Sequence, residues 1–115
     1  ADHPMTDIHY THLGSLLIDI ECELRRGDFW QQESPSAEAL ASTEPFAVDT
    51  LDFQQWLQFI FLPRMRLLID ERNALPQQSN ITAMAEVAWA EEIRAMAVIT
   101  VLRQFDEAIN NPSAR

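Results

Sequence analysis

Residues 56–63 read WLQFIFLP, and this stretch decides the fold. Six of these eight residues are large and apolar, so a helix that carries them is apolar on nearly every side. We therefore predict that it is the central, most buried element. Pro63 lacks an amide donor, and its ring crowds the carbonyl of Phe59, which predicts a kink or a break at this point.

The residues before this stretch indicate where its helix begins. The helix is predicted over residues 51–72. Asp49 or Thr50 is predicted to cap it, because short polar side chains accept hydrogen bonds from the first free amides of a helix. Asp52 would then lie in the positively polarised first turn, where a carboxylate is favourable.

Two further helical regions flank the central helix. In residues 5–26, apolar side chains recur at steps of three and four and predict an amphipathic helix that stops at Gly27. Its stripe consists of Leu13, Leu16, Leu17, Ile20 and Leu24. Residues 75–80 are predicted to form a loop that ends in a cap, and residues 81–110 are predicted to be helical. One helix of that length would extend about 45 Å and its apolar face changes phase, so a break is predicted near residues 90–92.

The connection between the first two long helices, residues 28–48, is long for a compact domain. We call it the strap, because five apolar side chains can tie it to the helices. These are Phe29, Trp30, Leu40, Phe46 and Val48. A short helical turn is predicted within it, with Ser34 as the cap, Pro35 at the first position and Ala41 near the end. The predicted architecture is an all-α, compact four-helix bundle that forms a single domain over residues 1–115. An ordered strap joins helices 1 and 2, and a proline kink bends helix 2.

The charge of the chain bears on its partners. It has 18 acidic and 8 basic residues, a formal net charge of −10, and no lysine. Because nucleic-acid phosphates are bound by clustered Lys and Arg, direct nucleic-acid binding is not expected. An acidic surface attracts a basic protein partner by long-range steering. The same charge can also serve solubility alone.

The sequence also bears on location. No apolar run approaches the length that crosses a bilayer, and the N-terminus lacks the pattern of a signal peptide. We therefore expect a soluble, cytoplasmic protein without membrane contact. Cys22 is the only cysteine, which excludes an intrachain disulfide and fits a reducing compartment.

Motifs for catalysis, metals or cofactors are missing from the sequence. His9 and His12 lie near Asp7 and the third histidine is His3, but no further ligand follows at a fixed spacing, so no metal site is predicted. The serines lie in no nucleophile-elbow context, and 2 glycines are too few for a phosphate-binding loop. The acidic pairs at 91–92 and 106–107 are interpreted as solvated helix surfaces. Neither an enzymatic activity nor a cofactor is predicted.

One constellation joins uncommon residues at fixed spacing. Residues 42–50 read STEPFAVDT and lead into WLQ at 56–58 and PRM at 63–65. This pattern resembles the YqcC-like proteins, whose signature is S-x-x-P-F-x-x-D-T followed by an aromatic W-L-Q helix and P-R-M. Looser similarity runs from Trp30 to the loop at 75–76. The resemblance implies a small, cytoplasmic, bacterial α-bundle whose gene often lies beside a tRNA pseudouridine synthase, and hence an accessory role.

Six residues are candidates for partner or ligand binding: Trp30, Phe46, Asp49, Trp56, Gln58 and Arg64. Aromatic and Met residues at helical spacing usually pack in a core, which is the simpler interpretation of Phe46, Phe53, Trp56 and Met65. Gln58 and Arg64 lie beside an apolar helix and must find partners or face a groove. Pairing of Arg64 with Asp49 or Glu44 is the favoured prediction, and projection toward a carboxylate or phosphate is the alternative.

The sequence supports three functional hypotheses, each from a different class. The first is a protein-interaction module that docks through the strap and helix 2 on a basic partner, such as a tRNA pseudouridine synthase. The second is a small-molecule binder with a pocket between the strap and helix 2. That pocket would be lined by Trp30, Phe46, Trp56, Gln58 and Arg64. A third hypothesis is self-association into a homo-oligomer through Ile8, Ile18 and Cys22.

Overall fold

The computed structural model describes residues 4–111, with side chains from His9 onward. Every regular element in that range is helical, and the described residues include no strand, which confirms the predicted all-α class. The α-helices are α1 (Pro4–Arg26), α2 (Ala37–Leu40), α3 (Phe53–Trp56), α4 (Leu62–Asp70), α5 (Ile81–Ala88) and α6 (Met96–Asn110). The finer prediction of a four-helix bundle with a strap and a bend at Pro63 stays a prediction.

Helices from the two ends of the chain form much of the core. The predicted apolar stripe of α1 is confirmed, because all five of its members are buried. α1 packs against α6 and α4, and α5 packs against α6. The inward side chains of α6 are Val98, Leu102, Phe105 and Ile109. Because these helices are amphipathic, their polar faces remain toward solvent.

Four of residues 56–62 are buried, namely Leu57, Gln58, Phe61 and Leu62, and the other three are half-buried. Leu57 and Leu62 are fully buried, whereas Phe59 and Ile60 are half-buried. No side chain of residues 56–62 is therefore exposed, and the prediction that this stretch is the most buried element stays a prediction. Helix α1 shares the centre of the molecule with it, since the α1 stripe is at most 4% exposed.

Pro63 follows a π-helical turn. α3 continues through this turn, Leu57–Phe61, directly into α4. The Leu62 amide donates to the Leu57 carbonyl five residues earlier, which widens the helix. Pro63 then lies in the first turn of α4, where a missing amide hydrogen is tolerated. A π turn therefore immediately precedes the proline.

Helices α1 and α4 both end at a residue with left-handed backbone. Asp28 has φ 66° after α1, and the Phe29 amide closes the helix end on the Leu24 carbonyl at 2.8 Å. Arg72, with φ 54°, holds the same position after α4. Gly27 ends α1 as predicted but is not the left-handed residue. A Cβ at Gly27 would lie 2.8 Å from a ring carbon of Phe29, so close packing requires glycine here.

The short helix of the strap begins later than predicted. Its cap is Ser36, whose Oγ accepts the Ala39 amide at 3.1 Å. The predicted cap at Ser34 with Pro35 in the first position is therefore wrong. Both Ser34 and Ser36 offer a hydroxyl, and the sequence does not distinguish which of them the chain direction places over the free amides.

The start of the second long helix also differs from the prediction. α3 begins at Phe53, and its N-cap is Asp52. The Asp52 amide donates to Gln55 Oε1 at 2.8 Å, which closes the first turn. Asp49 and Thr50 lie before this point, so the prediction that either one caps the helix is wrong.

The predicted break between the last two helices is confirmed. α5 ends at Ala88 and α6 begins at Met96, with a short 3₁₀ turn over Ile93–Ala95 between them. The two helices pack against each other, and the change in phase of the apolar residues reflects the break between them.

No described helix combines the length and the apolar character needed to cross a membrane.

Candidate interaction surface

Gln58 fastens the strap to the second long helix. Its side chain is 7% exposed, and its Oε1 accepts the Gln31 amide at 2.9 Å. Its Nε2 donates to the Gln31 carbonyl at 2.8 Å, so one side-chain amide pairs with both backbone groups of a single residue. The prediction that Gln58 must find a partner is confirmed. Because the partner is the chain's own backbone, this amide is not free to bind a ligand.

Phe46 and Trp56 meet between the strap and α3. Their ring centroids are 4.8 Å apart with the planes inclined by 62°. Phe53 lies 6.2 Å from Phe46 and 5.9 Å from Trp56, which makes a three-ring cluster. Phe46 and Trp56 are half-buried and pack on the core. These contacts match the packing interpretation of the aromatic signature residues.

Trp30 lies on the other side of the Gln58 contact. The Arg25 guanidinium is 4.3 Å from the centroid of its ring, which covers one face of the indole. Trp30 lines a depression of about 480 Å³ between the strap, α3 and the end of α5. Gln58 and Arg64 do not line this depression. The structure therefore does not assemble the five-residue pocket predicted for a small-molecule ligand.

The polar residues of the sequence signature bond within the strap region. Ser42 Oγ donates to Asp49 Oδ1 at 2.5 Å and accepts the Glu44 amide at 3.1 Å. Thr50 Oγ1 donates to the Ala39 carbonyl at 2.7 Å. These bonds close the loop on itself, so the S, D and T of the signature have structural partners.

Arg64 is exposed on α4. Within the described part of the chain, no hydrogen bond or ion pair joins it to another residue. The predicted pairing with Asp49 or Glu44 is therefore wrong. The alternative, projection toward an external group, stays a prediction.

Asp106 is buried, although the sequence predicts that it is solvated. It is 7% exposed, and its two carboxylate oxygens accept four hydrogen bonds from the start of α5. Oδ1 accepts Ser79 Oγ and the Ile81 amide, and Oδ2 accepts the Thr82 amide at 2.8 Å and Thr82 Oγ1 at 2.7 Å. A side chain from α6 thus caps α5.

The interpretation of Asp106 as part of a solvated acidic pair is therefore wrong. The helical phase carried a usable signal, because Asp106 follows Leu102 by four residues and precedes Ile109 by three, on the buried face. Its neighbour Glu107 is exposed, as predicted.

The side-chain amide of Asn110, one turn from Asp106, pairs with a backbone in the same way as the side-chain amide of Gln58. Its Oδ1 accepts the Ser79 amide at 2.8 Å, and its Nδ2 donates to the Ser79 carbonyl at 2.8 Å. Unlike Gln58, Asn110 is exposed. Together, Asp106 and Asn110 fix the loop before α5 onto α6.

An ion-pair cluster joins α1 to α4. Glu21 binds Arg66 across the helices and Arg25 one turn away, at 3.0 Å. The hydrogen bond from Arg66 is the main cause that lowers the pKa of Glu21 below its ordinary value. Glu21 and Arg66 are 25% and 42% exposed, so solvent screens the pair.

The corner between α5 and α6 combines apolar and acidic groups. Ile93 and Met96 are 79% and 63% exposed, and Val87 on α5 is 74% exposed. Glu92 pairs with Arg94 at 3.0 Å, which lowers the pKa of this carboxyl. Glu91 is exposed beside them.

No group of three or more His, Cys, Asp or Glu side chains with metal-binding geometry occurs in the described part of the chain. His3 lies outside the described residues, and so do the side chains of Asp7 and Ile8. Of the residues predicted to mediate self-association, Ile18 and Cys22 are exposed on α1.

The fold and these contacts define an acidic, all-helical domain whose buried polar groups bond to its own chain. The model of the family DUF446, described as tRNA pseudouridine synthase C, matches residues 12–108. The chain belongs to this family, to which the predicted resemblance to YqcC-like proteins also pointed. Its likeness to YqcC extends to structure: the solution NMR structure of YqcC from Escherichia coli aligns with a TM-score of 0.81 at 25% identity, over 90% of each chain.

Three relatives extend the comparison. An uncharacterised protein from Haemophilus influenzae is 35% identical over 83% of this chain and 90% of the relative. The Escherichia coli protein YqcC is 32% identical over 70% of this chain and 73% of its own length. A protein named tRNA pseudouridine synthase C from Pectobacterium carotovorum is 52% identical over 64% of this chain, but the match spans 19% of that protein.

Proposed function

We propose that this chain is a protein-interaction module, a four-helix bundle stabilised by its strap, that is accessory to a tRNA pseudouridine synthase. The Pectobacterium relative carries the proposal. A segment 52% identical to this chain forms 19% of a protein with the name of that synthase. A segment so similar to this chain within a polypeptide of that name supports the idea that this chain also acts together with such an enzyme, in the cytoplasm where tRNA is modified.

The charge of the chain supports a protein partner. An enzyme that holds tRNA must present basic surface to the phosphate backbone. A domain with net charge −10 and no lysine would be attracted to basic surface of the enzyme and repelled by the tRNA itself. The proposed module therefore contacts the enzyme and not the nucleic acid.

The interior supports a role without chemistry. In the described part of the chain, the buried polar residues are Gln58, Thr82 and Asp106. Gln58 bonds to Gln31, and Thr82 bonds to Asp106. Such groups rigidify a scaffold, whereas a catalytic carboxylate or amide is directed at a substrate. We therefore propose that the chain is not itself an enzyme.

The direct test is binding of the purified chain to purified tRNA pseudouridine synthase C from the same genome. Fluorescence anisotropy of the labelled chain is measured at low and high salt. We expect a complex at low salt whose Kd rises with salt, because exposed charges beyond the Debye length are screened. Absence of a complex at low salt would refute the proposed partner, and a salt-independent Kd would refute the electrostatic mechanism.

Arg64 offers a control on the predicted surface of the strap and second helix. It is exposed without a partner in the described residues, so Arg64→Ala should leave the thermal midpoint unchanged. Weaker synthase binding by this variant would place the interface on α4. Unchanged binding would remove Arg64 from it.

A further inference from the structure

The exposed apolar residues of the chain are not evenly spread. Val87, Ile93 and Met96 are 74%, 79% and 63% exposed, and all lie within ten residues at the corner of α5 and α6. Single exposed apolar side chains are ordinary on protein surfaces, but a cluster marks a site of interaction. The other exposed large apolar residues in the described part of the chain lie apart from one another, with Ile18 on α1, Val48 in the strap and Leu67 on α4.

The corner also contains a depression of about 450 Å³. Its lining combines apolar side chains with three glutamates. The lining residues are Trp89, Ala90, Ile93, Met96 and Ile99, together with Glu86, Glu91 and Glu92. An apolar centre with a charged rim is the arrangement typical of protein interfaces.

Trp89, which lines the depression, belongs to the hydrophobic core. Trp89 is 7% exposed, and its ring lies 5.0 Å from the rings of both Phe29 and Phe53. Phe29 is fixed in turn by the Arg94 guanidinium, 4.9 Å from its centroid. Because the Trp89 side chain is already packed in the free protein, it loses little further conformational entropy when a partner binds.

The charges at the corner favour a cationic occupant. Glu86 pairs with Arg103 at 3.3 Å and Glu92 pairs with Arg94, while no ion pair involves Glu91 among the described residues. Three carboxylates therefore meet two guanidinium groups, and Arg94 and Arg103 do not line the depression. A second copy of the chain would place the same glutamates opposite each other, which is unfavourable.

We propose that this corner docks a basic amphipathic helix of the partner protein, with apolar side chains over Ile93 and Met96 and Lys or Arg side chains against the three glutamates. The inference rests on the proposed function and moves the interface from the strap to the α5–α6 corner. Helix-in-groove docking of this kind uses apolar anchors one turn apart.

The first test needs no synthase. The ¹⁵N-labelled chain is titrated with a synthetic amphipathic helix made of Leu and Lys, and amide shifts are mapped by NMR. We expect saturable shifts centred on residues 86–99, and their loss in the double variant Ile93→Ser, Met96→Ser. Shifts spread over the whole acidic surface, or centred on the strap, would overturn the proposal.

The second test uses the purified synthase and matched controls. The double variant should bind it about tenfold more weakly or worse than wild type, as interface anchors do. The control Ile18→Ser, Leu67→Ser removes two similarly exposed side chains elsewhere and should bind like wild type. If wild type binds the synthase and only the control variant binds more weakly, the corner is not the interface, although the proposed function stands. If wild type does not bind the synthase, the proposed function fails, and the peptide titration still decides the corner.

Discussion

Two side-chain amides each bind both backbone groups of one residue that is distant in the sequence. Gln58 pairs with Gln31 at 2.9 and 2.8 Å, and Asn110 pairs with Ser79 at 2.8 Å in both bonds. The first contact holds the strap and the second holds the loop before α5. They differ in burial, because Gln58 is 7% exposed and Asn110 is exposed.

The difference in burial predicts that the two contacts, although equal in geometry, contribute unequally to stability. A hydrogen bond at the surface competes with water, whereas a buried donor left without a partner loses its full solvation. The loop before α5 instead depends on a buried charge, Asp106, which lies one turn from Asn110 on α6. Each connection is therefore held by one buried polar side chain.

Removal of that buried charge should have the largest effect. Asp106→Ala deletes four acceptor contacts and leaves the amides of Ile81 and Thr82 without partners, so the free energy of unfolding should fall by about 2–4 kcal/mol. Urea unfolding followed by circular dichroism measures it. Glu107→Ala, on the exposed neighbour, is the control and should change stability little. An equal loss in both variants would contradict the capping role.

Removal of the buried amide should have the next largest effect. Gln58→Ala leaves the amide and carbonyl of Gln31 without their partner in a partly buried place, which should cost about 1–3 kcal/mol. Hydrogen exchange should show faster exchange of the Gln31 amide. Gln104→Ala makes the same substitution at an exposed helical position and should be nearly neutral. Wild-type exchange at Gln31 in Gln58→Ala would refute its role in holding the strap.

The exposed amide should matter less. Asn110→Ala removes the same pair of bonds from Ser79, but water replaces them, so a cost below about 1 kcal/mol is expected. The same urea experiment measures it. If Asn110→Ala proves as damaging as Gln58→Ala, burial is not what separates the two contacts.

The smallest effect is expected at the ion pair between α1 and α4, where the contact is charged and screened. The pKa of Glu21 is lowered in the folded state, so its contribution is present at neutral pH and is lost as the pH falls through that lowered pKa. Glu21→Gln should cost less than about 1 kcal/mol at pH 7 and nothing once wild-type Glu21 is protonated. Thermal midpoints from pH 7 down to acid measure this, with Glu107→Gln as the control because no ion pair involves Glu107 among the described residues. A difference that grows toward acid would contradict the sign.

The helices were the most predictable part of the structure. The α1 stripe and the break between α5 and α6 follow from the period of apolar residues, because a helix can bury only side chains that share a face. The caps were less predictable. Ser34 and Ser36 both offer a hydroxyl, and only the path of the chain places Ser36 over the Ala39 amide.

In the candidate site, too, only some of the contacts could be predicted from the sequence. That Gln58 needed a partner could be predicted, since an amide beside an apolar helix must be bonded when buried. That the partner is Gln31 could not, because the strap has to fold back before the two meet. For Arg64 the prediction failed, because the internal ion pair expected with Asp49 or Glu44 is not formed in the structure.

The sequence by itself determined the all-α class, the acidic charge and the positions of the long helices, because composition and local periodicity are properties of the chain alone. Only the tertiary structure decided which polar side chains are buried and what they bond. Asp106 and Glu107 are adjacent acidic residues, yet one caps α5 and the other faces solvent. The physical reason is that burial and hydrogen bonding depend on which helix packs opposite, a relation between segments far apart in sequence.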